Sequence, residues 1–178
     1  FNTMYADQAG NIFYLYNGAV PKRDLQFDWR QPVDGSNPAT EWQGIHTMDE
    51  LPQLTNPSTG FLQNCNQTPF TTTGSGNPRP EDFPRYMTSE TDNARAQISR
   101  RILAEWDPFT LDSWSRAAFD TTVLAAEEAV PLIVAAWEKL GQQDPERAKR
   151  LAEPVKVLRE WDQVSRVDSV GMTLFAYW

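Results

Sequence analysis

The sequence has very little cysteine and histidine, with one of each in 178 residues. A single cysteine cannot form an internal disulfide, and it excludes a cysteine-rich metal site. A Cys–His nucleophile pair would require Cys65 and His46 to meet in the fold, and no motif around either residue requires that. Neither disulfide nor cysteine-centred chemistry is therefore expected.

Basic residues are also scarce, since Lys and Arg total 16 against 24 Asp and Glu, giving a net charge of −8. No Lys/Arg cluster follows one face, so nucleic acid is not an expected partner. No apolar run reaches 18 residues, so no membrane span is expected. Hydrophobic residues nevertheless make up 40%, including seven Trp, which excludes a disordered chain and provides for a core.

Neither end of the sequence resembles a natural terminus. The chain begins "FNTMYAD", inside a predicted strand and without a signal peptide, and it ends "GMTLFAYW", inside a predicted helix without a polar tail. We therefore expect the chain to be one piece of a larger protein.

The first 23 residues are typical of a β-hairpin. "TMYA" and "IFYLY" are strand formers, and "DQAGN" between them favours a turn. The second strand is apolar on both faces, which predicts an inner strand covered on both sides. Residues 21–86 are rich in Pro, Asn, Thr and Gly but carry several large apolar residues, which indicates an ordered loop rather than a linker.

Helical patterns begin after residue 87. Helix starts are predicted at capping residues: Ser89, Thr110, Asp144 and either Asp168 or Ser169. The helix from about residue 120 is expected to stop at Gly141 and to kink or split at Pro131. The chain is therefore predicted to be α+β with helix dominant. Residues 1–86 are expected to form the strand hairpin and long loop, and residues 87–178 the helical part of the same domain.

The segment "GFLQNCNQTPF" places Asn64 and Asn66 on either side of the cysteine, inside the irregular loop. An uncharged, fixed N–H donor such as an Asn side chain can stabilise the oxyanion of an acyl-transfer intermediate. Asn side chains also satisfy backbone groups in turns, and the loop alone favours this structural interpretation.

The ordered motifs "YADQAGNI", "PVDGS", "EWQG", "NPSTG" and "NCN" resemble the penicillin acylase family of N-terminal-nucleophile hydrolases. The likeness covers residues 1–178 and matches the middle of the family's large (β) chain, so it implies a fragment of an αββα fold. The version "LQNCNQTPF" is more similar to the aculeacin and acyl-homoserine-lactone acylase branch. The resemblance implies an amidase that is autocatalytically cleaved from a zymogen, that lies in the bacterial periplasm or is secreted, and that is associated with antibiotic resistance.

The resemblance assigns roles to four residues. Asn66 corresponds to the side-chain donor of the oxyanion hole, and Arg95 to an Arg that orients catalytic groups. Phe1 falls on a position that lines the acyl pocket, and Asn64 is expected to support the loop. The family's nucleophile is an N-terminal Ser, which is not among these residues.

The implied partners are an acylated amine or lactam substrate and the rest of the same precursor, namely the small chain and the N-terminal part of the large chain. No cofactor is expected, and no metal, because the positions that match the family's calcium ligands are not clearly carboxylates. Alone, the fragment is expected to be inactive. The alternative interpretation is a non-catalytic helical binding module with an aromatic-rich loop.

Overall fold

The computed structural model of the protein describes residues 2–16, 18–105 and 108–177. The chain divides into two compact units, Phe1–Asp107 and Pro108–Trp178. In the described residues, the first unit contains a three-stranded sheet and one α-helix, and the second contains four α-helices. The predicted α+β class with helix dominant is confirmed.

The sheet consists of β1 (Asn2–Ala6), β2 (Ile12–Tyr16) and β3 (Gln53–Thr55), in the order β1-β2-β3 with both pairs antiparallel. The inner position of β2 confirms the prediction from its continuous apolar run. Tyr14 is completely buried and Leu15 is nearly so, because neighbouring chain covers both faces of this strand. The strand β3 was not predicted.

The chain from residue 18 to the first helix is ordered, as expected. Short 3-10 turns punctuate it at Pro38–Thr40, Met48–Glu50, Pro69–Thr71 and Pro80–Asp82. Leu51 and Met87 bury their side chains against Leu15 in one core cluster. Apolar contacts thus fix the loop to the sheet. Burial of each of these side chains contributes roughly 1.5–3 kcal/mol to the free energy of folding.

The first helix, α1, spans Ala94–Glu105 and begins later than the sequence predicts. Ser89 does not cap it; instead the Asn93 side chain accepts a hydrogen bond from the Ala96 amide at 3.0 Å. The preceding residues are held by the loop, since the Thr91 carbonyl accepts from the Thr68 amide at 3.3 Å. This tertiary contact keeps residues 89–93 out of the helix.

The second unit contains four helices in the described residues: α2 (Leu111–Ala118), α3 (Leu124–Gln143), α4 (Pro145–Glu160) and α5 (Val170–Tyr177). Three predicted caps are present. Thr110 caps α2 by accepting from the Ser113 amide, Asp144 caps α4, and Ser169 accepts from the Met172 amide at the start of α5.

The expected end of α3 at Gly141 is wrong, and of the two alternatives for Pro131, a kink or a split, the split is excluded. The helix passes through Gly141 and ends at Gln143, because Asp144 both closes α3, by donating its amide to the Leu140 carbonyl, and caps α4. Pro131 lies inside α3 without splitting it. Val130 on one side is buried in the core with Leu158, and Val134 on the other side packs against the same cluster, so burial holds both halves in place.

The sequence division at 86/87 marks where helical periodicity starts, whereas the compact units divide after Asp107. The helix α1 contacts the loop of the first unit through several side chains, and it therefore belongs to that unit. In the parts of the chain that the structure describes, no helix is both long and apolar enough to cross a bilayer.

Candidate functional site

The Asn64–Gln67 turn is fixed by side-chain amides of its own sequence. Asn66 adopts the left-handed conformation with φ of 62°, which Asn tolerates better than most residues. The Asn66 amide donates to Asn64 Oδ1 at 3.1 Å, and the Cys65 amide donates to Gln67 Oε1 at 2.6 Å. Gln67 is completely buried and donates to the Gln63 carbonyl at 3.3 Å. The local conformation is therefore imposed by Asn and Gln side chains.

Arg95 determines how the Asn66 amide is oriented. The guanidinium Nη2 donates to Asn66 Oδ1 at 3.2 Å. Because a guanidinium can only donate, the atom that faces it must be the amide oxygen. Asn66 Nδ2 consequently points away from Arg95, and no acceptor in the described residues receives its hydrogens. Both side chains are exposed.

Residues of the strand hairpin hold the Asn64 side chain through hydrogen bonds. Asn2 Nδ2 donates to Asn64 Oδ1 at 3.3 Å, and the Tyr14 hydroxyl donates to Asn2 Oδ1 at 2.5 Å. Burial, which disfavours the charged phenolate, raises the pKa of Tyr14, so this hydroxyl stays a donor. Asn64 Nδ2 is buried without a partner among the described residues.

The helix α1 is fastened to the same loop by an ion pair. Arg100 donates to Asp92 Oδ1 at 3.0 Å and to Oδ2 at 2.6 Å, and it also donates to the Thr71 carbonyl at 2.9 Å. The Arg100 hydrogen bonds are the main cause that lowers the pKa of Asp92. A bidentate bond from a permanently charged guanidinium to a carboxylate fixes the rotation of the helix, and the position of Arg95 with it.

The structure brings three predicted site residues together: Asn64, Asn66 and Arg95 lie in one hydrogen-bonded chain. The fourth, Phe1, lies outside the described residues. The sequence interpretation missed Asn2 and Asn93, which contact this turn. Asn93 had a usable signal, since Asn is a favoured cap residue before an apolar helix.

Chemically, the arrangement presents a neutral N–H donor on a rigid turn. The Asn66 amide is held by its backbone and by its oxygen, so Nδ2 can meet a developing negative charge with little reorganisation. In the described residues, no group of three or more His, Cys, Asp or Glu side chains has the spacing to hold a metal ion.

A family model described as penicillin amidase matches residues 1–178. The chain is 27% identical over 183 residues to penicillin G acylase of Escherichia coli, covering 97% of this chain and 19% of that protein. It is similar in fold to the thermostable penicillin G acylase from Alcaligenes faecalis, with a TM-score of 0.61 and 24% identity over 94% of this chain.

The chain spans about a fifth of the curated relative and 28% of the solved chain. The family model, by contrast, matches it from its first residue to its last. The chain therefore belongs to the penicillin amidase family.

Proposed function

We propose that this chain is part of a penicillin-acylase-like amidohydrolase that cleaves an amide to a carboxylic acid and an amine. The substrate class is an acylated amine or lactam, and catalysis proceeds through an acyl-enzyme on an N-terminal Ser outside these 178 residues. The observation that carries the proposal is Asn66 Nδ2, which meets no acceptor among the described residues and lies on a left-handed turn where Arg95 holds the amide oxygen.

In this mechanism Asn66 contributes to the oxyanion hole. When the Ser oxygen attacks the substrate carbonyl, that carbonyl oxygen becomes negatively charged in the tetrahedral intermediate. Asn66 Nδ2 donates to this oxygen, and because the donor is already oriented, stabilisation is greater for the intermediate than for the substrate. Collapse of the intermediate expels the amine, and water then releases the acid from the acyl-enzyme.

Arg95 is assigned the orienting role. Its guanidinium holds Asn66 Oδ1, so the amide cannot rotate to present oxygen to the oxyanion. Its positive charge also polarises the amide and strengthens the Nδ2–H donor. Asn64 acts one step further back, because its Oδ1 accepts the Asn66 amide and keeps the backbone in the left-handed conformation.

The test uses the full-length protein that contains these residues, assayed with its best substrate from a panel of N-acylated amines and lactams. Asn66→Gly retains the left-handed backbone and removes the donor. We expect kcat to fall by roughly 10²–10³ with little change in KM. Asn66→Asp is isosteric and keeps an acceptor for Arg95, but its carboxylate repels the oxyanion, so we expect a larger fall.

Asn56→Gly is the matched control, since Asn56 is also an exposed Asn with positive φ, at 45°. It lies at the end of β3, where its Oδ1 accepts the Ile12 amide at 2.8 Å. We expect wild-type kcat from this variant. Unchanged kcat in both Asn66 variants would remove the proposed role.

A cavity favours a second candidate, a non-catalytic binding module. A space of about 460 Å³ is lined by aromatic side chains in the first unit, among them Phe27, Trp29, Phe83 and Tyr86. Asp28, Arg30 and Arg85 also line this space, so the lining suits a planar ligand that carries polar groups. Under this candidate, aromatic compounds that bind would quench the Trp fluorescence of the full-length protein. The protein would hydrolyse no member of the substrate panel.

A further inference from the structure

The Asn93 side chain forms two hydrogen bonds, one to the start of α1 and one to the Asn64–Gln67 turn. Its Oδ1 accepts from the Ala96 amide at 3.0 Å and caps α1. Its Nδ2 donates to the Cys65 carbonyl at 3.1 Å, across 28 positions of sequence. One half-buried side chain thus joins the start of the helix to the turn that carries Asn66.

Both members of the Asn66–Arg95 pair lie close to this junction. The Cys65 carbonyl belongs to the peptide whose nitrogen is that of Asn66, and Arg95 follows Asn93 by two residues. A shift of the helix relative to the turn would therefore change the 3.2 Å contact between Arg95 and Asn66 Oδ1. Asn93 restrains this shift directly at the Cys65–Asn66 peptide, whereas Thr91 and Arg100 hold α1 to the loop at Thr68 and Thr71.

We infer that Asn93 is a positioning residue for the oxyanion donor: it clamps the Cys65–Asn66 peptide to α1, and so holds Asn66 Nδ2 in its productive orientation. This inference rests on the proposed role of Asn66. It differs from a simple capping role, because capping uses Oδ1 alone, whereas positioning requires the Nδ2–H donor.

The two roles can be separated chemically. Asp caps helices about as well as Asn, so Asn93→Asp keeps the bond to the Ala96 amide. An ionised carboxylate cannot donate, so the bond to the Cys65 carbonyl is lost. Asn93→Ser is the neutral counterpart, because its hydroxyl also caps but its shorter side chain does not extend to Cys65.

In the full-length protein we expect Asn93→Asp and Asn93→Ser to unfold thermally as the wild type does. Misplacement of a catalytic group by about 1 Å costs as much as 10²-fold in rate, so we expect kcat to fall about tenfold to a hundredfold with KM within twofold. Agreement between the charged and the neutral variant excludes an effect of the new charge on Arg95.

A double variant tests whether Asn93 acts through Asn66. Once Asn66→Gly has removed the donor, adding Asn93→Asp should lower kcat no further, because nothing is left to position. A merely structural role would instead give independent, multiplying losses. If Asn93→Asp does not fold, the same comparison is made with Asn93→Ser.

Two failures remain distinct. Wild-type kcat in Asn93→Asp and Asn93→Ser, with a large loss in Asn66→Gly, overturns the positioning role and leaves the oxyanion assignment intact. Wild-type kcat in Asn66→Gly overturns both. Multiplying losses in the double variant overturn the positioning role alone.

Discussion

Asp92 and Arg100 face each other across two turns of backbone, joined by two hydrogen bonds of 3.0 and 2.6 Å. Arg100 also donates to the Thr71 carbonyl, so the pair ties the start of α1 to the end of the Asn-rich loop. The Arg100 side chain is 17% exposed and the Asp92 side chain 29%, so both charges are shielded from bulk water more than those of an ordinary surface pair. The geometry of the candidate site therefore depends on an ion pair that contacts neither Asn66 nor Arg95.

This pair predicts a pH-dependent loss of stability. The pKa of Asp92 is lowered in the folded state, chiefly by hydrogen bonds from Arg100, so its contribution is present above the ordinary Asp value of about 4. It disappears as the pH falls through the lower folded-state pKa. Arg100→Met should cost about 2 kcal/mol at pH 7, as for other charge-assisted hydrogen bonds. Urea denaturation of both proteins at pH 7 and at pH 3 measures the difference.

The difference should be smaller at pH 3, because that pH lies below the ordinary Asp pKa, where the unfolded chain binds a proton that Asp92 releases when it pairs with Arg100 in the folded protein. An equal deficit at both pH values would contradict the assignment. Arg30→Met is the control, since Arg30 pairs with Asp28 through the same two-point geometry at 2.8 and 2.9 Å, but these side chains are 71% and 48% exposed. We expect it to change stability little at either pH.

Two glycines of the second unit should respond in opposite ways to substitution by Ala. A Cβ at Gly171 would lie 2.3 Å from Trp161 Cγ, in a core where that ring is 9% exposed. The ring must shift, so Gly171→Ala should destabilise by about 1–3 kcal/mol. At Gly141, inside α3, the nearest atom is Ala148 Cβ at 3.9 Å, an ordinary contact.

Gly141→Ala should therefore stabilise by roughly 0.5–1 kcal/mol through helix propensity. Thermal unfolding of both variants checks the pair. Unchanged stability of the Gly171→Ala variant would mean that the Trp161 ring has room to move. That result would contradict the close approach of α5 to this side chain.

Much of the fold follows from local sequence. The run Ile12–Tyr16 is apolar on both faces, and it becomes the inner strand. Asp144 followed by Pro145 starts α4 as expected, because the cap and the proline act within one turn. Elements that depend on distant partners were missed. The strand β3 has only three residues, and it exists because β2, some 40 positions earlier, pairs with it.

The site was less predictable than the fold. The family resemblance selected Asn66 and Arg95, but composition and spacing alone could not bring together two residues 29 positions apart. That contact depends on where α1 begins, and the helix begins at Ala94 because the loop occupies the residues before it. The role of Asn93 follows from the same tertiary effect, since its side chain is shared between helix and loop.

Arg95 should matter less than the donor it orients. Arg95→Met leaves Asn66 Nδ2 in place but frees the amide to rotate, so some molecules present oxygen where charge develops. We expect kcat in the full-length protein to fall about tenfold, equivalent to about 1.4 kcal/mol. Arg95→Lys should give an intermediate value, because an ammonium can donate to Asn66 Oδ1 but lacks the rigid planar fork.

Steady-state kinetics of Arg95→Met in the wild-type and in the Asn66→Gly background test the orienting role. The fall should vanish in the second background. A rise in KM with unchanged kcat would show that Arg95 binds substrate instead of orienting Asn66.

The isolated 178-residue chain should hydrolyse no amide, because the proposed nucleophile, an N-terminal Ser, lies outside these residues. In the proposed mechanism the described residues contribute one hydrogen-bond donor to the intermediate, and without an attacking group that intermediate never forms. A sensitive amidase assay of the purified chain, beside the full-length protein at equal concentration, measures this. Turnover by the isolated chain that disappears in Asn66→Gly would be incompatible with an external nucleophile, whereas turnover unaffected by that substitution would indicate a contaminating enzyme.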